Sequence, residues 1–399
     1  MLKADSLDRG VLKTLTKLSA IQFLRMSGVF FIIPVLAVYS ERFTDSGILI
    51  GLSLGAYEIS MAVMQIPSGR LSDKFGRIPV ILFGLLLFIV GNSLSYLSSY
   101  FNGIEGIYIL IISRFIAGTG AISTPLTSLS QEIVPDNRKN TAMAIMGVGI
   151  GLSFLLGTAF SPIISSLIQI QNMFLISIFL GIAAFVSMLN VREYGNGKIA
   201  EKLKLDKHVL RVSMGAFLFS VAGFIIIYSN QVYFTFRFGL FNYGVILFIS
   251  VLISGAISIY ISESYARKKN IRLIPFASFL MIGGIVILFA GFLEYISFPV
   301  ISVFLICYYT GFSLYEISAV PAITGKIRRE NYGSSIGIFY SMQFIGNGIG
   351  ALIGGSLAGV GNMPEDYALP FIIALVLSII STLILWPLSK TGNDSYNPG

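Results

Sequence analysis

The feature that most constrains this chain is a series of apolar runs, each about 20 residues or longer, at about 18–40, 47–67, 78–98, 107–131, 141–168, 171–190, 208–231, 243–262, 274–293, 298–323, 333–358 and 367–388. A run of that length matches the roughly 30 Å hydrocarbon core of a bilayer when it is helical. Lipid offers no hydrogen bonds, so each backbone amide must be satisfied within the protein, which leaves helices or closed barrels. The runs do not alternate polar with apolar residues as barrel strands do, so the expected fold is an all-α membrane protein of twelve transmembrane helices. Only 12% of the residues are charged, about half the share of a soluble domain, so water is excluded as the main solvent. No short hydrophobic segment with a small-residue cleavage site opens the chain, and no removable signal peptide is expected.

The net charge of +8 is explained by topology rather than by nucleic acid. Counting loops alternately puts Lys3, Arg9, Lys13, Lys17, Arg70, Lys74, Arg77, Arg138 and Lys139 on one side. The same side receives Arg192, Lys198, Lys202, Lys204, Lys207, Arg211, Arg267, Lys268, Lys269, Arg272, Lys326, Arg328, Arg329 and Lys390. The opposite side holds Arg42 and Arg237, and Arg25 and Arg114 fall within spans. The positive-inside rule makes the first side cytoplasmic, with both termini there. A multi-pass protein of the cell membrane, surrounded by lipid and working as a monomer, is expected.

The longest polar stretch follows the sixth span and carries Gly195, Asn196 and Gly197 followed by alternating basic and acidic residues, as a linker does. Residues 1–191 are therefore expected to form one six-helix bundle, 192–207 a cytoplasmic linker and 208–399 a second bundle. A repeat of six spans preserves sidedness, so the bundles should be parallel repeats related by an axis along the membrane normal. At an offset of about 191 residues, Thr119-Gly120 falls on Thr310-Gly311, Arg138 on Arg329, Asn140 on Asn331 and Gly157 on Gly348.

Four ionisable residues lie well inside spans: Arg25, Glu58, Arg114 and Glu316. A charge at mid-bilayer costs at least about 2.5–3.5 kcal/mol, so such groups face a cavity and partner one another. Burial and a neighbouring Arg act on a carboxyl group in opposite directions, and Glu58, near the middle of its helix, is the first candidate proton carrier. Glu316 is either a substrate-cation or protonation site, or a partner of Arg328. Arg25 either faces the cavity or snorkels to the interface. Arg114 is either functional or bonded to carbonyls of a neighbouring helix. Tyr228, Asn230, Gln231, Tyr233, Tyr308, Tyr309 and Tyr315, with Gln22 and Gln343, form a pool of possible cavity-lining residues. His208 reads as a solvated residue at the linker. The glycines of the eleventh span, Gly346 to Gly359, read as close-packing positions.

The loop after the second span reads Gly69-Arg70-Leu71-Ser72-Asp73-Lys74-Phe75-Gly76-Arg77. Gly69 permits close helix approach, Gly76 a turn of positive φ, and Asp73 can serve a helix N-terminus. This loop resembles the signature Gly-x-Leu-x-Asp-(Arg/Lys)-x-Gly-Arg of the major facilitator superfamily. Arg25…Pro34-Val35-Leu36, Gln65-Ile66-Pro67-Ser68-Gly69, Ser113-Arg114-Phe115-x-x-Gly118-x-Gly120-Ala121 and Gly147-x-Gly149-x-Gly151-Leu152-Ser153-Phe154-x-x-Gly157 extend the likeness over about 18–165, toward its drug–proton antiporter branch. The fifth-span motif departs from that branch after Gly157, where Thr158 stands at the usual proline and Pro162 comes later.

The resemblance implies two bundles rocking about a central site, with small-molecule export coupled to protons. It makes Gly69, Asp73, Lys74, Gly76 and Arg77 a conformational switch and links Arg114 to proton transfer. Gly147, Gly151 and Gly157 become packing glycines, and Asp73 would dock near Gly333-Ser334-Ser335 in the outward-facing state. Uptake or facilitated diffusion by the same fold, and a non-transporting membrane sensor, are the alternatives. No phosphate-binding loop is present, so direct ATP coupling is not expected. One His, with Cys307 as the single cysteine, cannot supply the usual metal ligands, so neither metal nor cofactor is expected.

Overall fold

The computed structural model describes residues 8–135, 138–193, 206–266, 273–293, 298–324, 332–357 and 368–386. Most of the 192–207 linker, the loop cations Arg267 to Arg272 and Lys326 to Arg329, Lys3, Lys390 and Gly359 lie outside them. Most of the described residues are helical, and none of them forms a strand.

The helices are α1 (Arg9–Phe30), α2 (Ile33–Ser40), α3 (Gly47–Phe75), α4 (Arg77–Leu97), α5 (Gly103–Thr119), α6 (Ser123–Glu132) and α7 (Lys139–Ile168). They continue as α8 (Asn172–Leu189), α9 (Lys207–Phe238), α10 (Leu240–Ala266), α11 (Leu273–Leu293), α12 (Phe298–Thr324), α13 (Tyr332–Leu357) and α14 (Ala368–Leu385). Among the described residues ten spans are long and apolar enough to cross a membrane, and Leu273–Ile287 adds a shorter apolar helix.

Two of these spans are interrupted. The break between α1 and α2 precedes Pro34, which has no N–H to continue the ladder. The break between α5 and α6 falls at Gly120 to Ile122, ahead of Pro125. A break inside a membrane frees carbonyls that need new donors, and Arg25 Nη2 donates to Gly120 O at 3.4 Å.

Packing follows a pattern that occurs twice. Helix α1 packs on α7 and α8, α3 and α4 on α5, and α4 on α8. In the later part α9 packs on α13 and α14, α10 and α11 on α12, and α11 on α14. The two sets meet where α3 lies on α13, α7 on α10 and α2 on α9.

Helix α13 serves two neighbours through two glycine stripes. A Cβ on Gly346 would sit 2.5 Å from Phe217 O, and one on Gly354 would sit 3.1 Å from Tyr228 Cβ, both on α9. On another face, a Cβ on Gly355 would collide with Gly47 O of α3. Across the same interface, one on Gly51 would come within 2.5 Å of Ala351 O, and one on Gly55 within 2.8 Å of Gly348 O. Without a hydrophobic driving force between helices in lipid, such backbone approach is what holds them together.

Candidate functional site

Glu58 lies on α3 and is only 4% exposed. Its Oε2 accepts a hydrogen bond from Asn347 Nδ2 of α13 at 3.1 Å. The preceding residue, Tyr57, is fully buried and joins two arginines. The Arg114 guanidinium lies over its ring, 4.5 Å from the centroid, and Arg25 Nη2 donates to its hydroxyl at 3.0 Å. Arg25 is also held by Gly120 O and by Met61 Sδ at 3.6 Å, and its guanidinium lies 5.8 Å from the Phe88 ring centroid. It is 0% exposed, so the snorkelling alternative does not describe it.

Three of the four intramembrane charges are thus gathered on α1, α3 and α5. Neither guanidinium makes an ion pair with Glu58 within 4 Å. The arginines act through the field and through Tyr57, which the low local dielectric strengthens. Nε and Nη1 of Arg114 have no hydrogen-bond partner among the described residues. A buried cation with unused donors can receive an anion or a proton acceptor.

Glu316, on α12, takes its hydrogen bond from Gln343 Nε2 of α13. Gln343 and Asn347 stand one helical turn apart, so α13 presents an amide to a carboxylate on each side of the molecule. Arg328, the alternative partner for Glu316, lies outside the described residues. Next to Glu316, Tyr315 stacks on Phe219 with centroids 4.0 Å apart. The rings continue from Phe219 to Phe312 at 6.1 Å, to Phe154 at 5.5 Å and to Phe30 at 5.2 Å, with Tyr309 at 6.3 Å from Phe154. The chain crosses from α9 and α12 to α7 and α1. Tyr308 has a structural bond instead, its hydroxyl donating to Gly223 O at 2.8 Å.

Among the other polar candidates, Gln22 Nε2 makes a long contact of 3.4 Å to Ser123 Oγ and its Oε1 is unpartnered among the described residues. Gln231 Oε1 accepts from Ala37 N at 3.2 Å, next to the α1–α2 break, while its Nε2 and both amide atoms of Asn230 are buried without partners there. Sequence reasoning passed over Asn347, Phe154 and Phe312 as site residues. The signal for Asn347 was a lone amide within a glycine-rich span, one turn from Gln343.

The loop between α3 and α4 is a single residue, Gly76, at φ +94°, a conformation that favours glycine. Arg77 gathers the surrounding groups: Nη1 reaches Asp73 Oδ1 and Ser72 Oγ at 2.5 Å, and Nη2 reaches Glu132 Oε1 at 2.8 Å. The N-terminus of α4 is served by Glu193. Its carboxylate accepts from Arg77 N at 2.7 Å and Ile78 N at 3.0 Å at the start of α4. A residue 116 positions along the chain gives no local signal of this. Asp73 here engages Arg77. Lys74 lies over the Phe75 ring, 5.1 Å from its centroid. Gly69 faces Thr124, whose Cγ2 would be 3.0 Å from an added Cβ. Of Gly333-Ser334-Ser335, the expected dock of Asp73, only the buried Ser335 has a described side chain.

The glycines of α7 divide. Gly157 packs tightly, its added Cβ falling 2.6 Å from Phe30 Cβ, and Gly149 packs on Ser19 O at 2.5 Å. Gly147 and Gly151 face open space, with nothing within 4 Å. Close packing at those two is therefore corrected: the stripe that meets α1 is Gly149 and Gly157, and Gly147 and Gly151 lie on the exposed side of the helix.

The sequence model of the Major Facilitator Superfamily matches residues 18–347. An uncharacterized transporter of Buchnera aphidicola subsp. Baizongia pistaciae (strain Bp) is 30% identical over 384 residues, covering 91% of this chain and 94% of that one. Multidrug resistance protein 1 of Bacillus subtilis (strain 168) is 25% identical over 390 residues, covering 94% and 96%. The crystal structure of a D-xylose-proton symporter superposes with a TM-score of 0.78 at 15% identity, covering 96% of this chain and 100% of that one. At that identity the likeness concerns the fold.

Proposed function

From the premise that this chain belongs to the Major Facilitator Superfamily and is a multi-pass membrane transporter, we propose that it exports small lipophilic compounds in exchange for protons, by alternating access. The reading takes twelve transmembrane helices, with α1–α2 and α5–α6 each counted as one interrupted span. It divides them into bundles 1–191 and 208–399 joined by the linker 192–207, with both termini cytoplasmic. The doubled packing pattern of α1–α8 and α9–α14 supports this division.

The observation that carries proton coupling is the buried Glu58 held by Asn347 across the α3–α13 interface. Each bundle contributes one partner, so the hydrogen bond exists only while these helices are together. A proton arriving at Glu58 cancels the charge that Asn347 stabilises, and loss of a charge-assisted bond weakens the interface. A ligand shifts such an equilibrium only by its differential affinity for the two states. Protonation at this position meets that condition.

Among the described residues, contacts between the bundles gather toward one end. They join α3 residues 47–62 to α13 residues 341–355, α7 residues 155–163 to α10 residues 244–255, and Ala37 to Gln231. In the proposed topology that end lies away from the cytoplasm, which supports an inward-facing state. The exposed Gly147 and Gly151 lie on the separated half of α7. The aromatic chain from Phe30 to Tyr315 offers apolar faces to a lipophilic compound, and Glu316 offers it a negative charge. The relative named a multidrug resistance protein supports this substrate class.

Proteoliposomes containing the protein test the proposal. An imposed pH gradient should drive uphill movement of lipophilic cations or neutral drugs, and the absence of any flux across a broad panel sinks it. A second reading, uptake of a polar neutral solute, is favoured by the amide of Asn230 and the Nε2 of Gln231, which are buried without partners among the described residues. Accumulation of such a solute on the cytoplasmic side, with no drug flux, decides for it.

A further inference from the structure

The combined span Arg9–Ser40 is 32 residues long, about 48 Å at the helical rise. A hydrocarbon core of about 30 Å leaves roughly 18 Å, or about twelve residues, outside it. With Ser40 at the far boundary, the overhang is the stretch from Arg9 to Ala20. One face of this stretch is anchored. Val11 and Leu15 pack with Val134, Ala142 and Ile145, and Leu18 joins a second apolar cluster with Ile81 and Leu126.

The other face carries Arg9, Lys13 and Lys17 at a spacing of four, which aligns them in one row. Arg9 and Lys13 are exposed, and Lys17 donates one Nζ hydrogen to Asn190 O at 3.1 Å. None of the three has a carboxylate partner among the described residues. The exposed Asp8 is the acid nearest in sequence. Together with Leu12, Thr16 and Ala20 the row forms one open face of α1. Leu12 is 45% exposed, so apolar surface borders the cations. The linker 192–207 carries five basic and three acidic residues (Arg192, Lys198, Lys202, Lys204, Lys207 against Glu193, Glu201, Asp206), and its charge opposes rather than complements the row.

We infer that the Arg9–Lys13–Lys17 face of α1 binds the phosphate headgroup of an anionic phospholipid, with Ala20, at the hydrocarbon boundary, against the top of its acyl chains. Adjacent cations on the row stand about 6 Å apart along the axis, so two of them can share one phosphodiester. Basic residues next to a membrane span attract anionic lipid within a Debye length of the surface. The apolar border favours a lipid over a free anion. The inference rests on the proposed topology, which places this end of α1 at the cytoplasmic leaflet, but not on the export reaction.

Native mass spectrometry of the purified full chain, released from micelles doped with phosphatidylglycerol or phosphatidylcholine, tests it. The wild type should retain phosphatidylglycerol in preference. The triple variant Arg9→Gln, Lys13→Gln, Lys17→Gln should lose that preference by about tenfold or more, while Arg192→Gln, Lys198→Gln, Lys202→Gln should keep it. Equal retention by the wild type and the α1 variant overturns the inference, as does full displacement of the lipid by millimolar inorganic phosphate, which would assign the row to a free anion. If the triple variant does not fold, the single exposed change Lys13→Glu is read in the same way. Lipid retention is measured without transport, so its failure leaves the export proposal standing and the reverse holds too.

Discussion

Asn347 of α13 and Glu58 of α3 stand 289 positions apart in the chain, and the Nδ2 of one donates to the Oε2 of the other at 3.1 Å. This pair is a buried polar link between two helices that also meet through glycine backbone contacts and through Ser341 Oγ, 3.5 Å from Ala62 O. It places the candidate proton carrier on the α3–α13 interface, the surface that separates in the proposed alternating-access cycle.

Glu58→Gln keeps the shape and removes the charge. The variant is expected to retain solute counterflow and to lose uphill export under a pH gradient. Full retention of coupled export removes Glu58 from the role. Asn347→Leu leaves the carboxylate without its donor, at a cost of about 1–3 kcal/mol, and should lower the thermal unfolding temperature. Glu58→Gln combined with Asn347→Leu should restore part of that loss.

At Gly55 a methyl group meets Gly348 O at 2.8 Å, and backbone cannot move aside cheaply. Gly55→Val is expected to force α3 from α13 at a cost of about 1–3 kcal/mol. Cysteines introduced on the far side of the membrane should become reactive to an impermeant thiol reagent. Unchanged labelling in Gly55→Val would show that the interface yields without opening.

Arg77 serves Asp73, Ser72 and Glu132 at once, a fork that a lysine cannot reproduce. Both Arg77→Ala and Arg77→Lys should lower stability. The alanine change should cost about 3 kcal/mol, because it leaves two partly buried carboxylates without a cation. Differential scanning fluorimetry in detergent measures this, and a lysine variant indistinguishable from wild type contradicts the fork geometry.

Glu41 follows the first span and lies outside the membrane segments. Burial pushes its carboxyl up to about 7 from an ordinary 4.5. The folded state therefore binds the proton more tightly than the unfolded chain, and its stabilisation is full below about 4.5 and lost as pH rises through about 7. Glu41→Gln should match wild-type stability at pH 4 and exceed it at pH 8. Equal unfolding temperatures at both pH values would contradict the burial of this carboxyl.

Phe154 bridges Phe30 on one side and Phe312 on the other. Phe154→Ala breaks the ring chain and should weaken binding of an apolar aromatic compound by roughly tenfold, since an aromatic pair is worth about 0.5–1.5 kcal/mol beyond its area. Titration of a fluorescent lipophilic cation checks this. An affinity within twofold of wild type removes Phe154 from the binding surface.

Much of the architecture was legible from residues near one another in the chain. The apolar runs, the Gly76 turn and the family loop at 69–77 are local patterns, set by bilayer thickness and by backbone sterics. Arg25 and Arg114 were legible as buried charges that demand partners, but the partners were not. Tyr57, Gly120 O and the unused donors of Arg114 depend on where the α5–α6 break falls against α1 and α3. The same applies to Gly147 and Gly151, which belong to a glycine motif and yet face away from the stripe that packs on α1.

The amino-acid sequence by itself determined that the chain is helical, spans a bilayer and carries the loop of its family, because solvent and backbone chemistry act residue by residue. Only the tertiary structure decided which groups hold the buried charges: Asn347 for Glu58, Gln343 for Glu316, and Glu193 for the start of α4. Those pairings depend on the rotation and crossing of helices far apart in the chain. Backbone contacts at Gly51, Gly55 and Gly355 set that rotation where α3 meets α13, and no local pattern encodes it.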